Sequence, residues 1–246
     1  MTDRPTVLVP IRVLEGESIP EGVPELLARA HVVLLGYHVV PDQTATGQAR
    51  MQYEERATHR LEEFETILAD AGSTVETRLV FTHEGQKTID RTITEHDCLA
   101  VLVPNATGPP EDILVAVRGT VGLDRLVRLV GGLFGGRGVA VTLLHVADEE
   151  TDEDADTLLD ALVARLTETG IDDGSIDTRI VRDRRPQDAI ADAATEYDAV
   201  VMGESDPSLA TFVFGLRAEQ VADQFLGPVL VVQREPPAET ESQDAS

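Results

Sequence analysis

The sequence predicts an α/β protein made of two tandem, doubly wound parallel-sheet units, the first cut short after its fourth strand. Three observations predict it. Short apolar runs alternate with amphipathic helical stretches over short links, the pattern of a parallel sheet covered by helices. One set of segments occurs twice in the same order. The composition can fill a core, since 42% of the 246 residues are hydrophobic. With aromatics at 4% and no tryptophan, that core has to be aliphatic.

The repeat sets the units. "TVLVPIRV" at 6–13 returns as "DILVAVRG" at 112–119. "LLGYHVVPD" at 34–42 answers "TLLHVADE" at 142–149, and "ITEHDCLAVLVPNA" at 93–106 answers "ATEYDAVVMGES" at 194–205. The matches divide the chain into a first unit over 1–110 and a second over 111–235. The closing "REPPAETESQDAS" is proline-rich, acidic and without an apolar period, so 236–246 reads as a disordered tail.

In the first unit, "EGESIPEGVP" leads to a short helix over about Glu21–Ala30, and a long helix spans Gln48–Ala71. After the fourth strand, Leu99–Val103, only Pro104–Asp112 precede the second unit. No glycine loop, last helix or fifth strand fits there. The fourth strand is therefore left as a sheet edge that seeks a partner.

In the second unit, Ile113–Val117 is a continuous apolar run, the mark of a strand covered on both faces. Leu123, Leu126, Val127 and Val130 then recur at helical spacing. Val139–Val146 is the next strand, followed by a helix striped by Leu158, Leu159, Leu162, Val163 and Leu166. Ile176–Val181 is the third strand, and Ile190, Ala193, Ala194 and Tyr197 line a helix that begins near Pro186. Ala199–Met202 is the fourth strand. A last helix turns Phe214, Ala218, Val221, Ala222 and Phe225 inward, and Gly227 stops it. Pro228 leads into a fifth strand, Val229–Val232. That strand either covers the first unit's open edge or pairs with its counterpart in another chain across a two-fold axis.

Charge narrows the function classes. Asp and Glu number 45 against 20 basic residues, a net charge of −25, and Lys87 is the single lysine. At about 1 M salt the Debye length is roughly 3 Å, so such self-repulsion is screened. The composition points to a halophilic cell that balances its surroundings with molar salt. Free nucleic acid is excluded as a partner for want of a basic stripe. One cysteine, Cys98, allows neither an intrachain disulfide nor a thiolate metal site, and it reads as buried filler. No apolar run reaches membrane-spanning length, so the expectation is a cytoplasmic protein without direct membrane insertion.

At "ILVAVRG", "LLHV" and "YDAVVMG…FGLRAEQVADQFLGPVLVV" the chain resembles the universal stress protein family in its tandem form. The resemblance implies an adenine nucleotide alpha hydrolase-like fold with strand order 3-2-1-4-5. Nucleotide-binding members carry Gly-x2-Gly-x9-Gly followed by Ser or Thr, and an aspartate at the end of strand one. Here Gly203 matches the first glycine, Asp206 stands in place of the second, and Gly215 comes one residue early. Leu216 replaces the hydroxyl residue, and Arg118, like Arg12 in the first unit, replaces the aspartate.

In open parallel sheets, ligands sit beyond the carboxyl ends of the strands at the switch point. With the family's strand order, this brings Arg118 and Gly119 beside Gly203 and Ser205, with Gly215 and Arg217 opening the next helix toward them. Glu204 and Asp206 add negative charge to that loop. Each disfavours a nearby phosphate by roughly 1 kcal/mol at water-like dielectric. The expectation is a degenerate nucleotide or anion site without a bound cofactor, ATP or AMP being the alternative ligand. Arg12 and Arg118 pair with neighbouring acids in the simpler reading and hold a small anion in the other. Arg179, Arg182, Arg184 and Arg185 read as a patch neutralised by carboxylates. His38 and His145, in apolar strands, read as packing residues and not as metal ligands.

No nucleophile–base pair appears, so an enzyme is not expected. The function expected is a non-catalytic stress-response or regulatory protein acting through association, with itself or with an unidentified protein. The alternatives are an adenine-nucleotide sensor and a cytoplasmic regulator of an amino-acid or cation transporter.

Overall fold

The computed structural model describes residues 4–117, 122–147, 155–182, 184–203 and 227–234. The strands among them are β1 (Thr6–Arg12), β2 (His31–Val39), β3 (Thr74–Thr82), β4 (Ala100–Val103), β5 (Asp112–Val117), β6 (Ala140–Val146), β7 (Ile176–Val181), β8 (Ala199–Gly203) and β9 (Val229–Val232). The helices are α1 (Val23–Leu26), α2 (Thr46–Asp70), α3 (Gly85–Glu95), α4 (Leu123–Phe134), α5 (Ala155–Glu168) and α6 (Pro186–Ala194). The expected last helix and its glycine loop lie outside the described residues.

The nine strands form one sheet in the order β3-β2-β1-β4-β9-β8-β5-β6-β7. From its middle outward, one side runs 4-1-2-3 and the other 5-4-1-2-3 when each set is numbered from its own first strand. Neighbours within each side are parallel. The sides meet where β4 pairs antiparallel with β9, Ala100 opposite Val232 and Val103 opposite Val229. Of the two fates expected for Val229–Val232, the chain adopts the first: β9 covers the β4 edge. Both edges of β9 are then occupied, so pairing with another chain's β9 is not open to it.

Side chains alternate across the strands as the pleat requires. Val7, Val9 and Ile11 of β1 and Ile113, Val115 and Val117 of β5 share one core with α2, α4 and α5. That core runs unbroken across the β4–β9 junction, where Leu102 and Leu230 both enter it. On the opposite face there are two separate clusters. Leu8, Val33 and Leu35 meet Ile89 of α3, while Leu114, Ala116 and Leu144 meet Ile190 and Ala193 of α6.

Two local departures from expectation have steric causes. The first helix is a single turn, Val23–Leu26, because the chain must enter β2 by His31. That turn starts from a left-handed Gly22 (φ 81°), where a Cβ would lie 2.3 Å from the Thr107 carbonyl oxygen. The second concerns the histidines. If Arg12 and Arg118 are equivalent, the register sets His145 opposite Val117 where Gly36 sits opposite Ile11, so matching His38 to His145 is two residues out of step. Gly36 has no side chain because a Cβ there would come within 2.8 Å of Leu61 on α2.

Side chains tie the two sides of the sheet together. Arg125 of α4 is 8% exposed; it donates to Asp97 Oδ1 at 3.0 Å and to the Cys98 carbonyl at 2.7 Å. Asp97 adopts a left-handed backbone (φ 43°), which turns the chain toward β4. Across the linker, Thr107 Oγ1 donates to the Asp198 carbonyl, and Asp198 Oδ2 accepts the Glu111 and Asp112 amides. Nothing in the sequence marked Arg125, which is an ordinary surface residue by type.

Arg125→Ala leaves the Cys98 carbonyl without its partner and opens a gap under α4, while Asp97, which is mostly exposed, regains water. The expected cost is about 1–3 kcal/mol, read as a lower denaturation midpoint in molar KCl.

Candidate functional site

A cavity of about 420 Å³ opens at the carboxyl ends of β1 and β4, on the side of the sheet formed by the first four strands. This is the point where strand order reverses within that side, the position at which open α/β sheets take ligands. Its apolar surface comes from Pro10 and Ile11 of β1, Leu102 and Val103 of β4, and Ile89 of α3. Arg12, Tyr37, Gln86, Glu17 and Ser18 bring polar groups. The last two belong to the loop after β1, which folds back over the strand end. The sequence puts the cavity there because β1 and β4 stop while α3 and the loop continue past them.

The rim electrostatics follow from three contacts. Arg12 Nε–H donates to the Tyr37 hydroxyl at 3.2 Å. A terminal Arg12 nitrogen meets Glu15 Oε2 at 3.2 Å. The Arg12 backbone N–H donates to Glu17 Oε2 at 2.6 Å. Tyr37's hydrogen bond, opposed by burial and helped by Glu15, raises the Arg12 guanidinium further above its ordinary value. Burial pushes the Glu17 carboxyl up; the bond from the Arg12 amide and the Arg12 charge pull it back. The guanidinium is therefore already engaged, and the amide nearest the cavity is already occupied.

The model of the universal stress protein family matches residues 110–233, half of the chain. The chain belongs to the universal stress protein family. No curated protein matches it. A universal stress protein from Archaeoglobus fulgidus DSM 4304 has a similar fold, with a TM-score of 0.62 at 18% identity over 93% of this chain and 96% of that one. A functionally unknown protein from Pseudomonas aeruginosa PAO1 aligns over 95% of this chain and 94% of its own, at 17% identity and TM-score 0.48. A universal stress protein from Archaeoglobus fulgidus in complex with dAMP aligns over 50% of this chain and 97% of its own, at 24% identity and TM-score 0.39.

Of the site residues expected from the family's nucleotide motif, Gly203 is described. It ends β8, hydrogen-bonded on the other side of the sheet between β5 and β9. Arg118, Gly119, Ser205, Gly215 and Arg217 lie outside the described residues, as do Glu204, Asp206 and Leu216. Because β4 and β9 run antiparallel, the ends of β5 and β8 open on the opposite edge of the sheet from the cavity. The sequence reading placed the site on that second side and assigned none to the first; the cavity corrects it. Two signals were present: the acids that follow Arg12, and Tyr37 at the end of the second strand.

Other expectations resolve residue by residue. Arg12 pairs with an acid, as the simpler reading held. Arg184 pairs with Asp192 at 2.5 Å. Cys98 is fully buried, and burial first of all pushes its thiol up to about 12. His38 packs edge-on against Tyr53 and Phe81, each at 6.0 Å between ring centres. His145 is 5% exposed, and its Nδ1 lies 3.0 Å from the Val117 carbonyl oxygen. Among the described residues, no group of three or more acidic, His or Cys side chains is placed to hold a metal, and no helix is long and apolar enough to cross a membrane.

Glu17 binds its proton more tightly in the folded chain than in the unfolded one. Protonation therefore favours folding; that contribution is complete below the ordinary Glu value of 4.5 and is lost as pH rises through the raised folded-state value. Glu17→Gln stays neutral and still accepts the Arg12 amide. Its melting temperature should gain on the wild type as pH rises from 4.5, and a difference independent of pH would contradict this assignment.

Proposed function

We propose that this universal stress protein is a non-catalytic, tandem two-unit regulatory member acting through association, with a degenerate nucleotide site. The observation that carries the reading is the state of Arg12. It stands where nucleotide-binding relatives have an aspartate, it is held by Tyr37 and Glu15, and Glu17 occupies its amide. A polyphosphate entering there meets carboxylates at the rim and finds no uncommitted cation among the lining residues. In the second unit, the replacement of a motif glycine by Asp206 supports the same conclusion.

The association is with a second copy or with a protein such as a membrane transporter. It uses surfaces other than β9, whose two edges are filled; the outermost described strands of the sheet are β3 and β7. The protein works in a halophilic cytoplasm, a reading supported by the −25 net charge and the single lysine. An adenine-nucleotide sensor is the second reading, favoured by Gly203, which keeps the motif's first glycine at the switch point beside β5.

Titration calorimetry of the full chain in molar KCl with ATP, ADP and AMP tests the proposal. No saturable heat is expected at micromolar nucleotide. Micromolar affinity for any of the three would replace the regulatory reading with the sensor.

A further inference from the structure

We propose that the cavity at the ends of β1 and β4 binds a small organic ammonium cation with an apolar body. The inference concerns the first side of the sheet and stands apart from the nucleotide question at Gly203.

The shape calls for an apolar body. At about 420 Å³, with Ile11, Ile89 and Leu102 on its surface, the cavity admits a fused-ring or branched aliphatic group. Val39, one of the large hydrophobic residues left exposed, also borders it and loses water when a ligand enters.

The charge calls for a cation. Arg12 and Glu17 are the charged lining residues, and Glu15 neutralises Arg12 from beside it. Two carboxylates against one guanidinium leave the rim negative. An anion would have to draw Arg12 away from Tyr37 and Glu15 while approaching Glu17. An ammonium instead gives Glu17 a second partner and offsets the burial of its charged form. Gln86 adds an acceptor: its amide N–H donates to Asp90 at 2.8 Å, which leaves the amide oxygen at the rim. The first turn of α3 also reaches the cavity at Gly85, but its partial charge of about +0.5 is smaller than either full carboxylate charge. The protein's overall negative charge raises the local concentration of cations further.

The test uses two ligands of nearly the same shape and opposite charge, tryptamine and indole-3-acetate. Each is titrated into the isotope-labelled full chain at the lowest KCl that keeps it folded. Tryptamine should shift the Gly85 and Gln86 amide resonances saturably, and indole-3-acetate should leave them in place. Glu17→Gln should weaken tryptamine by about fivefold, the size of one close charge pair at water-like dielectric. Equal or tighter binding of indole-3-acetate overturns the proposal. So does an unmoved Gly85–Gln86 pair in the wild type, a reading that needs no variant to fold. Displacement of tryptamine by AMP would also overturn it, by showing that the cavity accepts an anion. Nucleotide binding that leaves tryptamine bound would count against the degenerate nucleotide site and leave this proposal standing.

Discussion

The antiparallel ladder between Ala100–Val103 and Val229–Val232 fixes the rest of this structure. A parallel strand left at the edge of the first side would expose a row of unpaired amides and carbonyls on apolar residues. By taking that edge, β9 turns two sets of parallel strands into one nine-stranded sheet. The four facing pairs are all Ala, Val or Leu and are buried apart from partly covered Val103, so the junction carries core packing as well as hydrogen bonds. Arg125 and Asp198 then fasten the flanking loops, each with a side chain that holds backbone from a distant part of the chain.

The direction of that ladder also distributes the sites. Reversing direction at the junction sends the ends of β1 and β4 to one edge of the sheet and those of β5 and β8 to the other. Two ligand positions then face apart and need not carry the same chemistry. On the first side, the short link Pro104–Glu111 replaces a glycine loop and helix, and the loop after β1 supplies Glu17 in its stead. The family's phosphate-binding end is missing there while the apolar part of the pocket persists.

Much of the fold was legible because periodicity reports burial directly. Ile176–Val181 and Val229–Val232 form strands with the expected bounds, and the helix expected over Gln48–Ala71 runs over Thr46–Asp70. What stayed hidden depended on residues distant in sequence. Arg125 is buried only because Asp97 and Cys98 come to meet it from the other side of the sheet. The cavity arises from β1, β2, β4 and α3 together, and its key acid, Glu17, sits in a loop with no periodicity to betray it. The choice between the two partners for β9 could not be made from one strand's composition, since either would bury the same four apolar residues.

The central claim is that β4 and β9 of the same chain are paired antiparallel. It is tested most directly by cross-strand nuclear Overhauser contacts between residues 100–103 and 229–232. The sample should mix labelled and unlabelled chains in molar KCl so that contacts within a chain are separated from those between chains. The account predicts antiparallel contacts, Val101 with Val231 and Leu102 with Leu230, arising within labelled chains. Contacts seen only between differently labelled chains, or β4 amides that exchange freely with solvent, would contradict it.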